Sequence, residues 1–164
     1  VNIAWVVDAT PVMGVVYAPA KARLFITGAD GVSHEEAAPH DPATPGAMTP
    51  IRVSTPDTGA LNVVASKSHL TEETKAYIDK YQVADRVSAG SSLKFCLVAT
   101  GEADLYPRVG RTMEWDTAAG HAVLSGAGGH VVRFDDHTPL TYGKPIFENP
   151  YFIAYAPGID LQKP

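Results

Sequence analysis

Residues 114–122, Glu-Trp-Asp-Thr-Ala-Ala-Gly-His-Ala, constrain this chain more than any other stretch. A large indole and the acid at position 116 lead into Ala118, Ala119, Gly120 and Ala122. Asp is a favoured helix N-cap, because its carboxylate accepts hydrogen bonds from the free N–H groups of the first turn. The spacing predicts a helix capped by Asp116, running to about Ala127 and ended by Gly128-Gly129, a pair suited to a left-handed cap. Its first turn carries almost no side-chain bulk. Such a helix can press close to another backbone or to a ligand, at the conformational cost of a helical glycine. Two readings stay open: a tightly packed structural helix, or a metal-binding carboxylate at a helix start, where amides also favour anions.

Upstream, residues 1–7 form an apolar run, Asp8-Ala9-Thr10-Pro11 makes a turn, and residues 12–17 return as a second strand. Residues 23–27 give a third strand, closed by Gly28-Ala29-Asp30-Gly31. Three successive strands predict an antiparallel meander, whose apolar faces need covering. Residues 34–50 are rich in Ala, Pro, Gly and His without periodicity, which predicts a mobile surface loop. His34, Glu35, Glu36, His40 and Asp41 fit no known metal-ligand spacing. Then strands over residues 61–65, 83–87, 105–106, 130–134 and 151–155 alternate with helices over 71–81, 91–99 and the Asp116 helix. That alternation predicts an α/β unit from about residue 57 onward.

At 164 residues, with 45% hydrophobic and 19% charged residues, the chain is globular in composition. A formal charge of −5 argues against binding nucleic-acid polymers, which need a cationic surface, but leaves room for a local basic pocket. Cys96 is the single cysteine, so no internal disulfide forms, and a reducing compartment suits it. It falls on the apolar side of its helix with Leu93 and Leu97, as a structural thiol would.

Several motifs occur in a telling order: Gly14-Val15-Val16-Tyr17-Ala18-Pro19, Ser66-Lys67-Ser68-His69, residues 90–99 (Gly-Ser-Ser-Leu-Lys-Phe-Cys-Leu-Val-Ala), Ala103-Asp104-Leu105-Tyr106-Pro107-Arg108, and Trp115-Asp116-Thr117-Ala118-Ala119-Gly120. The last is similar to the second signature of the inositol monophosphatase superfamily, and the set resembles its 3'(2'),5'-bisphosphate nucleotidase (CysQ-type) branch. The superfamily's first signature, Asp-Pro-(Ile/Leu)-Asp-Gly-Thr, and the Glu-Glu segment before it do not occur here. The resemblance therefore implies the C-terminal portion of such an enzyme. Its fold would be α/β, an α+β layered sandwich of the inositol monophosphatase type lacking its N-terminal part. Residues 1–56 would be what remains of the metal-site domain, and residues 57–164 the C-terminal α/β domain.

By the same resemblance, Asp116 is a catalytic metal ligand for Mg²⁺, and His69, Ser91, Lys94 and Arg108 bind the nucleotide and its phosphates. The side-chain chemistry suits those roles. Ser91 lies near a helix N-terminus, Lys94 follows one turn on, and Arg108 offers a planar fork to phosphate oxygens. Plainer readings are an N-cap for Ser91, a solvated face for Lys94, an ion pair with Asp104 for Arg108 and a loop histidine for His69. The implied activity is Mg-dependent removal of the 3'-phosphate from 3'-phosphoadenosine 5'-phosphate, giving AMP, in sulfur assimilation or nucleotide recycling. Alternatives are an inositol-1-phosphatase or other sugar-phosphate phosphatase, and a non-catalytic half requiring a separate N-terminal chain. The implied partners are a small nucleotide bisphosphate and that missing portion. The implied location is cytoplasmic, with association to the inner membrane as a variant.

Overall fold

A computed structural model describes residues 1–66 and 70–164. The first third of the chain forms one antiparallel sheet in sequence order. Its strands are β1 (Asn2–Val7), β2 (Thr10–Ala18), β3 (Arg23–Thr27), β4 (Ser33–Glu36) and β5 (Met48–Pro50). The meander is thus two strands longer than the sequence predicts, and the loop expected over residues 34–50 is overturned at both ends. β4 carries no apolar run; it is held by ladder bonds to β3 and β5 and by the Arg23 guanidinium on Glu35, at 2.6 Å. Its buried positions are Ser33, bonded to Thr27, and Glu36, bonded to the backbone of Gly46. A strand paired by backbone and polar side chains leaves no hydrophobic alternation to read.

The second sheet runs β7-β6-β8-β10-β9. It comprises β6 (Leu61–Ala65), β7 (Val83–Ser88), β8 (Leu105–Arg108), β9 (His130–Arg133) and β10 (Phe152–Tyr155). β6 pairs parallel with β7 and β8, while β10 pairs antiparallel with β8 and β9. Among the described residues three α-helices accompany the sheets: α1 (Glu72–Ile78), α2 (Leu93–Ala99) and α3 (Glu114–Gly126). Thr71 caps α1 through its hydroxyl, which accepts the Thr74 N–H at 3.1 Å.

The result is layered, an α/β sandwich as the sequence implies. α2 and α3 lie between the sheets, in a core that joins Val16 and Phe25 of the first sheet to Phe95 and Val123 of the helices and Phe152 of the second. α1 covers the far side of the second sheet, where Leu61, Val63, Tyr77, Ile78 and Ile153 are buried together. The small-residue run explains how α3 fits. A Cβ on Gly14 of β2 would stand 2.3 Å from the Ala119 carbonyl oxygen, and one on Gly120 would stand 2.7 Å from the Phe95 ring. Backbone therefore meets backbone on one side of α3 and an aromatic face on the other. The opposite face of the first sheet has no such cover among the described residues. Val1, Ile3 and Trp5 are more than 60% exposed, and Val15, Tyr17 and Leu24 line a shallow groove beside them.

Candidate functional site

α3 begins two residues before Asp116, at Glu114, so the expected N-cap assignment is corrected: Met113 is the cap and Asp116 the third helical residue. From there the Asp116 carboxylate reaches back, and one oxygen accepts the Met113 N–H at 2.9 Å. That is the acidic arm of a capping box, which needs the acid inside the helix rather than before it. Asp116 is exposed, and it lines a cavity of about 240 Å³ at the open end of the layer between the sheets.

The same cavity is lined by Ser91, Lys94 and Arg108. Four of the five residues singled out from the sequence are therefore brought together; the fifth, His69, lies outside the described residues. Ser91 is exposed, with φ of 48°, and stands just ahead of α2, whose cap is Ser92. Hence the plain N-cap reading does not hold for Ser91. Nor is Lys94 on a solvated face. It is only 3% exposed, its Nζ donates to the Ala89 carbonyl at 3.2 Å, and it stands 5.1 Å from the centre of the Tyr106 ring. Burial, with a smaller push from the Arg108 charge, lowers its pKa to about 8. Burial acts because removing an ammonium from water disfavours its charged form.

Arg108 does not pair with Asp104. That carboxylate is buried and accepts from the Ser54 hydroxyl and the Asn62 N–H. Arg108 instead donates from Nη2 to the Arg111 carbonyl at 3.3 Å, while its Nε is buried without a hydrogen-bond partner among the described residues. A guanidinium donor without a hydrogen-bond partner among the described residues thus stands beside a buried lysine.

Sequence reasoning passed over Tyr106, Arg111, Thr112 and Thr117, which also line the cavity. Tyr106 was within reach: it precedes Arg108 by two in β8, and alternate residues of a strand share a face. Thr117 adjoins Asp116 in the first turn of α3. Arg111 and Thr112 sit in the irregular entry to that helix, where no period assigns a direction. In total the cavity gathers Lys94, Arg108 and Arg111 against Asp116, a locally cationic site in a chain of net charge −5. The Asp116 oxygen not bound to Met113 accepts no hydrogen bond from the described residues. The carboxylate thus fits as one oxygen ligand of a hard cation such as Mg²⁺. Among the described residues, no three His, Cys, Asp or Glu side chains are grouped to hold a metal. Cys96 is fully buried, and burial pushes its thiol pKa up, away from nucleophilic use.

A model of the inositol monophosphatase family matches residues 1–156. The 3'(2'),5'-bisphosphate nucleotidase CysQ of Escherichia coli K12 is 42% identical over 156 residues, covering 93% of this chain and 58% of that protein. The crystal structure of CysQ from Bacteroides thetaiotaomicron superposes with a TM-score of 0.83 at 39% identity, over 94% of this chain and 61% of that one. A staphylococcal IMPase-II shares the fold, with a TM-score of 0.73 at 18% identity, over 96% of this chain and 56% of that one. The chain therefore spans less than two-thirds of the length of these relatives.

Proposed function

The chain belongs to the inositol monophosphatase family, and from that membership we propose that it forms the nucleotide-binding part of a Mg²⁺-dependent 3'(2'),5'-bisphosphate nucleotidase. The complete enzyme would cleave the 3'-phosphate of 3'-phosphoadenosine 5'-phosphate to give AMP, in the cytoplasm, as a step of nucleotide recycling linked to sulfur metabolism. One observation carries the reading: Lys94, Arg108 and Ser91 converge with Asp116 on one cavity, and the buried Nε of Arg108 has no hydrogen-bond partner among the described residues.

In this reading Lys94 and Arg108 hold the phosphate that is not cleaved, the one as a buried point charge and the other as a directional fork. Ser91 adds a hydroxyl at the rim, and Asp116 presents its free oxygen to the cation. When bound, Mg²⁺ would neutralise phosphate charge and lower the pKa of water. A single carboxylate does not complete such a site, so the proposal assigns the other oxygen ligands to the portion of the relatives that this chain does not cover. That portion is also the proposed partner of the uncovered face of the first sheet. We also propose that the metal-site part and the C-terminal α/β part meet between residues 56 and 57, which the strand-free stretch between the end of β5 at Pro50 and the start of β6 at Leu61 supports.

The test is phosphate release by this chain joined to the upstream portion of the Escherichia coli relative. Release from 3'-phosphoadenosine 5'-phosphate should exceed release from inositol-1-phosphate. Lys94→Ala and Arg108→Ala should each raise KM for the nucleotide at least tenfold while changing inositol-1-phosphate turnover less. Equal use of both substrates, unaffected by the two changes, would overturn the nucleotide assignment in favour of a general sugar-phosphate phosphatase.

A further inference from the structure

Behind Asp116 lies a buried polar chain that the roles above do not use. Asn149 is 5% exposed, and its Nδ2 reaches both Thr117 Oγ1, at 3.0 Å, and Thr112 Oγ1, at 3.3 Å. Its backbone N–H also donates to the Thr112 carbonyl at 2.9 Å. The two threonines look equivalent, since both line the cavity, but their protons go to different places. Thr117 Oγ1 lies 3.2 Å from the Glu114 carbonyl, which can only accept, so its hydrogen points there. Its lone pairs meet Asn149 Nδ2 and the Tyr142 hydroxyl, at 3.2 Å. Tyr142, having given its proton to Thr117, accepts from His121 Nδ1 at 3.0 Å. That histidine can supply one, because burial holds its pKa down to about 4 and keeps it neutral with one ring N–H. The Thr117 hydroxyl is therefore saturated.

Thr112 differs. With the Asn149 amide turned so that Nδ2 faces both threonines, which leaves its Oδ1 buried without a partner among the described residues, the Thr112 oxygen accepts from Asn149 and no hydrogen bond among those residues takes its proton. We propose that Thr112 donates its hydroxyl hydrogen to the anion held in the cavity, and that Asn149 is the positioning residue that turns it there. The inference rests on the anion-binding reading above and adds a binding residue to it. The second hydrogen on Asn149 Nδ2 is what fixes the direction: a hydroxyl that accepts from behind presents its own proton forward.

Isothermal titration of the 164-residue chain with 3'-phosphoadenosine 5'-phosphate separates the possibilities. Lys94→Ala serves as the control for the cavity itself. Thr112→Val, nearly the same shape, should weaken binding about tenfold, and Thr112→Ser should restore it. Asn149→Ala should weaken binding too, yet the double variant should bind no worse than Thr112→Val alone, because both changes remove one proton. Undiminished binding by Thr112→Val, with Lys94→Ala impaired, would overturn the role of Thr112. Losses that add in the double variant would overturn the positioning by Asn149. If Asn149→Ala does not fold, shown by lost near-ultraviolet circular dichroism, Asn149→Asp takes its place in the cycle, since it keeps the volume and removes the donor. No binding by the unsubstituted chain, or binding that Lys94→Ala leaves intact, would overturn the anion-site reading beneath the inference.

Discussion

Lys94 is the residue in which burial and ligand binding pull against each other. Its pKa of about 8 means that the ammonium is intact near neutrality and lost in mild alkali, where an ordinary lysine stays charged. Affinity for a phosphate dianion should therefore be about halved at pH 8 and fall about fivefold further by pH 9. Titrations at the two values check this, and in Lys94→Met the fall should vanish. The folding equilibrium runs the other way. Between pH 8 and the unfolded value of 10.5 the unfolded chain binds the extra proton, so this group's contribution to stability grows as pH rises through that window. The two opposite trends share one cause, which is the low polarity of the wall formed by Phe95 and Tyr106.

At the scale of elements, α3 is positioned by what its residues lack. Gly14→Ala would place a methyl group against the Ala119 carbonyl, a backbone atom that cannot rotate away. The variant should lose about 3 kcal/mol, read as a fall in Tm of roughly 9 °C by calorimetry. The need for close approach was legible in the run Ala118-Ala119-Gly120, because absent side chains leave a signature in sequence. Most strands were legible too: β3 and β6 carry dense apolar residues, with Gly28 just after the one and Gly59 shortly before the other. β4 and β5 were not. They are held by the Arg23–Glu35 pair and by ladder bonds, and backbone pairing has no composition of its own. The start of α3 was misread for a related reason. An acid before a helix and an acid inside its first turn look alike in sequence, and only the Met113 N–H distinguishes them. The cavity was half legible. Lys94 and Arg108 announce charge, whereas Thr112 and Asn149 acquire their direction only when residues 37 positions apart come within hydrogen-bond distance.

The molecule as a whole is finished on one side and open on the other. α1 covers the second sheet, but Ile3, Trp5 and Val15 on the outer face of the first have no helix against them among the described residues. A contiguous apolar face of this kind promotes association. The chain alone should bind 8-anilinonaphthalene-1-sulfonate and sediment as a concentration-dependent mixture, and co-expression with the upstream portion of the Escherichia coli relative should abolish both. Monomeric sedimentation with no dye binding would show that the face is stable in water as it stands.

The thirteen residues of α3 touch the first sheet along their length and carry Asp116 at their start. A strut fixed in this way leaves no purely architectural position in its middle. Any swelling against Gly14 or Phe95 would move the whole rod and carry the carboxylate at its tip off target. Selection for a well-folded chain and selection for turnover would then act on the same few alanines and glycines, which leaves that stretch little room to drift.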